Sequence, residues 1–287
     1  MTVPLSISAA GLSDPGLVRE RNEDTYAIDA SLGLYLVCDG MGGHAAGEVA
    51  SRLATDSIRS YMQEHLQAPG STACSTYDDA VSPIANLLGG AIGHANRVIF
   101  REARQRPVFA GMGTTVVGLL IRGQVASIAH VGDSRLYLIR NRDIDCLTID
   151  HSLEVARNAP NLVDDGKTKR SYGTSVLTRA VGVADSVAVD LSETPLLAGD
   201  VLILCSDGLT CDVTPEAILE TVLARNAPRP IAEHLVSLAK TAGGRDNITA
   251  LVLTIHAGTS RTLWDRIRQR FRHHPPSTTI SKENSYA

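Results

Sequence analysis

Acidic residues standing at the ends of apolar runs, again and again along 287 residues, limit most strongly how this polypeptide can fold. Leu34 to Cys38 is a short, branched apolar run that reads as a buried strand, and it stops at Asp39-Gly40. Val201 to Cys205 ends in Ser206-Asp207-Gly208, and Ser127 to Val131 ends in Gly132-Asp133-Ser134-Arg135. Asp246 stands just before the run Ile248 to Ile255, while Glu23 and Asp24 precede Tyr26 and Ile28. Taken singly, an Asp-Gly after a strand is an ordinary turn. If those strand ends converge, five or six carboxylates share one small volume, and so much like charge in one place does not stay ionised unpaired. Divalent cations relieve it, because they take carboxylate and carbonyl oxygens in flexible turns, and more than one ion is needed. Gly40, Gly42 and Gly43 leave the backbone there open to close approach.

The formal charge of −4 is unevenly spread. From Ser260 onward Arg261, Arg266, Arg268, Arg270, Arg272 and Lys282 face only Asp265 and Glu283, so the preceding body is acidic. An acidic body argues against a nucleic-acid-binding surface. An apolar share of 44% is enough for a substantial core. The five cysteines are odd in number and show no C-x-x-C spacing, and Cys38 and Cys205 fall inside predicted strands as small hydrophobes. This pattern, and an N-terminus without a basic start or an apolar stretch, lead us to expect a cytoplasmic protein without a signal peptide. No run approaches the ~18 apolar residues of a membrane span.

Along the chain, early strands are expected at Ser6 to Ala10 and Asp24 to Ile28, then helices from Ala46 to His65 and from Asp78 to Arg104. Thr114 to Ile121, Val125 to Val131 and Leu136 to Arg140 follow as closely spaced strands that suit antiparallel hairpins. Asp150 to Arg170 reads as a loop or flap, with strands again at Val187 to Leu191 and Val201 to Cys205. Thr214-Pro215 opens a helix through Leu223, another spans Pro230 to Ala242, and Ile248 to Ile255 closes the domain. Strands mixed with paired helices indicate an α+β layered fold, with one domain over 1–258 and a tail over 259–287. In that tail Leu263, Trp264, Ile267 and Phe271 share one helical face among arginines. Such a segment docks on a partner, on a membrane surface or on its own domain.

The motifs Arg19 with Asn22-Glu23-Asp24, Asp39-Gly40-Met41-Gly42-Gly43-His44, Gly111-Met112-Gly113-Thr114-Thr115, Gly132-Asp133-Ser134-Arg135, Asp150-His151-Ser152, Ser206-Asp207-Gly208 and Gly244-Arg245-Asp246-Asn247 resemble the metal-dependent serine/threonine phosphatases of type 2C, the PPM family, in its bacterial branch. The resemblance runs from about Ala10 to Thr254, in the family's order. It implies a four-layer α-β-β-α sandwich, two central antiparallel sheets flanked by helices, with the metals at the edge between the sheets. It implies that Asp39 bridges two ions, Mn2+ or Mg2+, that the Gly40 carbonyl is a ligand beside it, and that Asp207 and Asp246 complete the first site. Glu23 and Asp24 then serve the second ion directly or through its waters, and Asp133 resembles the ligand of a third, weaker site.

The same resemblance gives Arg19 the grip on the substrate phosphate, and makes the nucleophile a water readied between two metals, without a covalent intermediate. Met41 stands where eukaryotic relatives have a histidine after the Asp-Gly, so His44 is the nearest candidate proton donor to the leaving oxygen, with a water on the metal as rival. Phosphorylated proteins are the implied substrates and a bacterial Ser/Thr kinase the implied counterpart, and a monomer is expected. The alternatives are a phosphatase-fold regulatory module that has lost turnover, and a hydrolase of small phosphate esters. Leu153 to Ser175 departs from the family's flap, which leaves its part in the third metal site and in substrate choice open. Asp133 paired with Arg135, and His130 and His151 as structural residues, are the plainer readings of those positions.

Overall fold

The computed structural model describes residues 4–42, 46–67, 78–155 and 174–258. In chain order they form β1 (Leu5–Asp14), β2 (Asp24–Asp29), β3 (Leu34–Met41), α1 (Ala46–Gln67), α2 (Pro83–Gln105), β4 (Gly113–Thr114), β5 (Val116–Arg122), β6 (Val125–Val131), β7 (Arg135–Arg140) and β8 (Asp143–Cys146). Then come β9 (Ser152–Val155), β10 (Thr174–Leu177), β11 (Asp190–Pro195), β12 (Val201–Cys205), α3 (Asp207–Thr210), α4 (Pro215–Leu223), α5 (Pro228–Ala242) and β13 (Ile248–Ala257). The tail and most of the expected flap, like His44, lie outside the described residues.

Two antiparallel sheets follow, one ordered β1-β13-β12-β7-β8 and the other β11-β6-β5-β3-β2, with β4 set against β3. Alternation along each strand sorts its side chains between two cores. Tyr35, Val37 and Leu119 from one sheet meet Leu138, Leu204 and Leu253 from the other in the space between them. The neighbours in sequence, Leu36 and Leu120, point outward beneath Ile58 of α1 and Leu88 and Ile92 of α2. Ile203 and Val252 likewise point outward, beneath Ile218 of α4 and Leu235 of α5. Strands apolar on both faces therefore make the four-layer α-β-β-α sandwich expected from the sequence.

Local chemistry sets the element ends. The Ser82 hydroxyl accepts the Ala85 N–H at 3.2 Å with Pro83 behind it, so α2 starts there rather than at Asp78. Thr214 caps α4 in the same way, as its sequence predicts. The strand expected over Thr114 to Ile121 is broken at Thr115, whose N–H goes to the Asp39 carbonyl at 2.8 Å. The strand expected at Val187 to Leu191 forms instead at Asp190–Pro195, because Val187, Val189 and Leu191 are drawn against the helix-covered core while Glu193 binds Ser82 and Ser127. Edge strand β8, which follows a left-handed turn at Asn141 and Arg142, is too polar to show in the sequence pattern.

Candidate metal centre and active site

Antiparallel pairing turns the sequence distance between the acids into proximity. Asp24 opens β2 directly opposite Asp39 near the end of β3. In the other sheet Asp207 leaves the end of β12, and Asp246 enters β13 beside it. Only glycine tolerates the approach: a Cβ on Gly208 would stand 2.0 Å from the Asn247 carbonyl oxygen, and one on Gly16 (φ +79°) 2.2 Å from that of Asp246. The hairpin loop carrying Arg19 is pinned to this edge by Leu17 N–H on the Gly244 carbonyl at 2.6 Å. The Asn247 amide clamps the same loop through the carbonyls of Pro15 at 3.1 Å and Arg21 at 2.8 Å. Arg19, itself exposed, thereby reaches Asp246 with a guanidinium-to-carboxylate distance of 2.7 Å.

The carboxyls respond to one another. Loss of water raises Asp39 well above the ordinary range, and Asp24, Asp207 and Asp246 raise it further. Burial raises Asp207 too, with Asp246 adding to it. Asp24 is pushed up to about 7 by burial, although Ser206 and Thr249 donate to its Oδ2 at 2.7 and 2.6 Å. Its other oxygen, Oδ1, is buried without a hydrogen-bond partner. Glu23 is raised by burial against the opposing pull of Arg19, and its carboxyl lies against Gly47, where a Cβ would come within 2.7 Å. Asp133 moves up to about 6 through burial, then through Asp207 and Asp150. Arg135 does not neutralise it by pairing: its guanidinium forms a double bridge to Asp150 at 2.9 and 2.7 Å.

Four strand ends thus carry a cluster of acids with raised pKa values and an orphaned buried carboxylate oxygen, which is the donor set that hard divalent cations take. The described residues place Glu23, Asp24, Asp39, Gly40, Asp133, Asp207 and Asp246 at this one edge, with Arg19 over it. A tighter group, His130, His151 and Asp190 with ligand atoms within 4.8 Å, is already engaged. His151 Nδ1 accepts the Gly132 N–H at 3.1 Å, leaving Nε2 to donate to Asp190 at 3.2 Å, and Arg179 also grips that carboxylate. These histidines brace the Gly132-Asp133 turn.

Sequence reasoning missed the hydroxyls beneath the acids. Thr249, Ser206 and Ser13 form a chain under Asp24, with Ser13 and Thr249 opposite one another in register and 2.7 Å apart. Thr115 and Ser134, 2.7 Å apart, hold Asp39 from below, the Asp39 N–H donating to Thr115 at 3.0 Å. A polar residue at the first inward-facing position of an apolar strand, such as Thr249, is the one signal of them in the sequence.

The chain matches the model of the family described as protein phosphatase 2C over residues 19–248. It is 35% identical over 247 residues to the serine/threonine phosphatase stp of Listeria innocua, covering 84% of this chain and 93% of that one. It is 33% identical over 258 residues to the serine/threonine protein phosphatase PstP of Mycobacterium tuberculosis, and there it spans only 46% of the relative's length. Among solved structures, the catalytic domain of PstP in complex with two manganese ions shares 33% identity and a TM-score of 0.70, covering 88% of this chain and 99% of that one. PppA of Pseudomonas aeruginosa shares 32% identity, also with a TM-score of 0.70, covering 88% and 99% of the two chains. With its acids gathered from both sheets at one end of the sandwich and most of its length matched, the chain belongs to the protein phosphatase 2C family.

Proposed function

We propose that this chain is a metal-dependent serine/threonine protein phosphatase that hydrolyses phosphoserine and phosphothreonine esters. One observation carries the reading: Asp39, Asp207 and Asp246 meet from separate strands beneath the exposed guanidinium of Arg19. Asp39, Asp207, Asp246 and the Gly40 carbonyl would hold one ion, Glu23 and Asp24 together with Asp39 would serve a second, and Asp133 would serve a third. When bound, two Mn2+ or Mg2+ ions supply a water of lowered pKa and offset the negative charge that develops on the transferred phosphoryl group.

The protein's own groups do the rest. Arg19 exchanges its contact with Asp246 for two phosphoryl oxygens, which fixes the ester at the mouth of the site. The hydroxyls of Ser206 and Thr249 hold Asp24 in place, and those of Thr115 and Ser134 hold the Asp39 turn, so the acids meet the ions in a fixed geometry. His44 gives a proton to the departing serine or threonine oxygen. The catalytic unit is residues 1–258 and acts as a cytoplasmic monomer opposite a Ser/Thr kinase, with 259–287 as an appendage.

Phosphate release from a phosphothreonine peptide, with Mn2+, with Mg2+ and with EDTA, tests the reading against p-nitrophenyl phosphate as the small-ester control. Turnover of the peptide that EDTA abolishes and Asp39→Asn removes, with an unchanged circular dichroism spectrum, is expected. Full turnover by Asp39→Asn would refute the bridging role, and peptide hydrolysis no better than that of the small ester would move the chain to another substrate class. A general acid works only while it holds its proton, so loss of the alkaline limb of the pH–rate profile in His44→Ala identifies the proton donor.

A further inference from the structure

At the end of the sandwich opposite the acids, the two sheets part around a cavity of about 660 Å3. Pro4, Leu5 and Ile7 wall it from the β1 side, and Tyr35 and Ile121 from the other sheet. Among the described residues nothing covers it, and the Arg122 guanidinium at its rim is turned to the Leu32 carbonyl at 2.8 Å.

The described chain leaves the domain at this rim. Ala257 pairs with Leu5, and the Gly258 N–H donates to the Pro4 carbonyl at 2.6 Å. Leu263 lies five residues on, a span of at most roughly 17 Å, and with it begins the tail's apolar face of Leu263, Trp264, Ile267 and Phe271. An exit point against an uncovered cavity whose walls include Leu5, Ile7, Tyr35 and Ile121, followed at once by apolar residues at helical spacing in the sequence, identifies one occupant. We propose that this face of the tail seats in the cavity of its own chain. Arg261, Arg266, Arg268, Arg270 and Arg272 then keep their charges in water, as long cationic side chains do along an apolar surface. The short tether sets an effective concentration in the millimolar range, which favours the chain's own cavity over that of a second copy.

Trp264 is the single tryptophan, so intrinsic fluorescence reports on the tail alone. Acrylamide quenching of the full chain at low micromolar concentration is compared with a peptide of residues 259–287, and with Leu5→Glu in the cavity and Ile267→Asp in the tail. Leu5 lies roughly 30 Å along β1 from the acids, so peptide phosphatase activity serves as the check that Leu5→Glu folds. The expected result is quenching several-fold weaker in the full chain than in the peptide, independent of protein concentration, and restored to the peptide's value by either substitution. Ile267→Asp decides alone if Leu5→Glu does not fold. Quenching equal to the peptide's overturns the proposal. So does protection that appears only as concentration rises, only with vesicles of anionic phospholipid, or unchanged in the variants, since these point to a second copy, a lipid surface or another occupant.

Discussion

Asp24→Asn should make the metal-free protein more stable above neutral pH while weakening its hold on metal. Asp24 titrates near 7 in the folded chain, against 3.8 for the free side chain. Between those values the unfolded chain has lost the proton and the folded one keeps it, so unfolding releases a proton and stability falls as pH rises. A rise from 3.8 to about 7, at ~1.36 kcal/mol per pH unit, comes to about 4 kcal/mol, lost between pH 4 and 7 and absent thereafter. Asparagine presents a carbonyl to Ser206 and Thr249 at the same place and carries no charge, so it keeps those hydrogen bonds and escapes the penalty. Urea unfolding in EDTA at pH 5, 6, 7 and 8 measures this. The wild type should lose stability with pH more steeply than the variant, and the two curves should cross as Mn2+ is added, because the ion rescues the carboxylate and not the amide. Equal pH slopes for the two proteins in EDTA would show that burial of this carboxyl costs nothing, and the reasoning from strand-end acids to metal would fail with it.

Three further substitutions separate catalysis from stability. Arg19→Ala should lower kcat/KM on a phosphothreonine peptide by about 10- to 150-fold, the value of a charged hydrogen bond of ~1.5–3 kcal/mol, and leave the melting temperature unmoved because its pair with Asp246 is exposed. Gly208→Ala forces a Cβ toward the Asn247 carbonyl and tilts Asp207 away from Asp246. A Mn2+ titration of its activity should give an affinity weaker by about 10- to 100-fold. Arg140→Ala strips the double bridge of 2.8 and 2.7 Å from Asp200, which is 2% exposed. The Leu197 N–H still serves that carboxylate, so the loss should sit near the low end of the ~3–5 kcal/mol for breaking a buried pair. Calorimetry should read it as a melting temperature about 6–10 °C lower, with kcat intact.

How much of this was legible follows from what each residue does with its neighbours in sequence. Asp39, Asp207 and Asp246 each end or begin a run of apolar residues, so their places at strand ends were readable in the sequence, whereas their gathering at one end of the sandwich from two sheets depends on the fold. The helix starts at Pro215 was legible because Thr214 and the proline act locally. Asp190–Pro195 was not: its Glu193 becomes a strand residue only through Ser82 and Ser127, far away in sequence, and a local pattern carries no trace of that. The hydroxyls under Asp24 belong to the same class. Ser13 and Thr249 are ordinary polar residues in β-strands until register sets them opposite one another, and then one of them holds a carboxylate that burial has pushed up to about 7. The acids are therefore legible and their supports are not, because a charge at a strand end is exceptional in any sequence whereas a hydroxyl gains its role only from the partner that folding brings to it. On that argument Thr249→Val should disturb the site as much as a change in an acid. It removes one of the two donors to Asp24 Oδ2, leaving that oxygen to Ser206 on a carboxylate whose Oδ1 already has no partner, and keeps the volume of the strand residue. A stronger Mn2+ requirement for peptide turnover, with the circular dichroism spectrum unchanged, is the expected result, and an unaltered Mn2+ titration would show that register, and not the hydroxyl, positions Asp24.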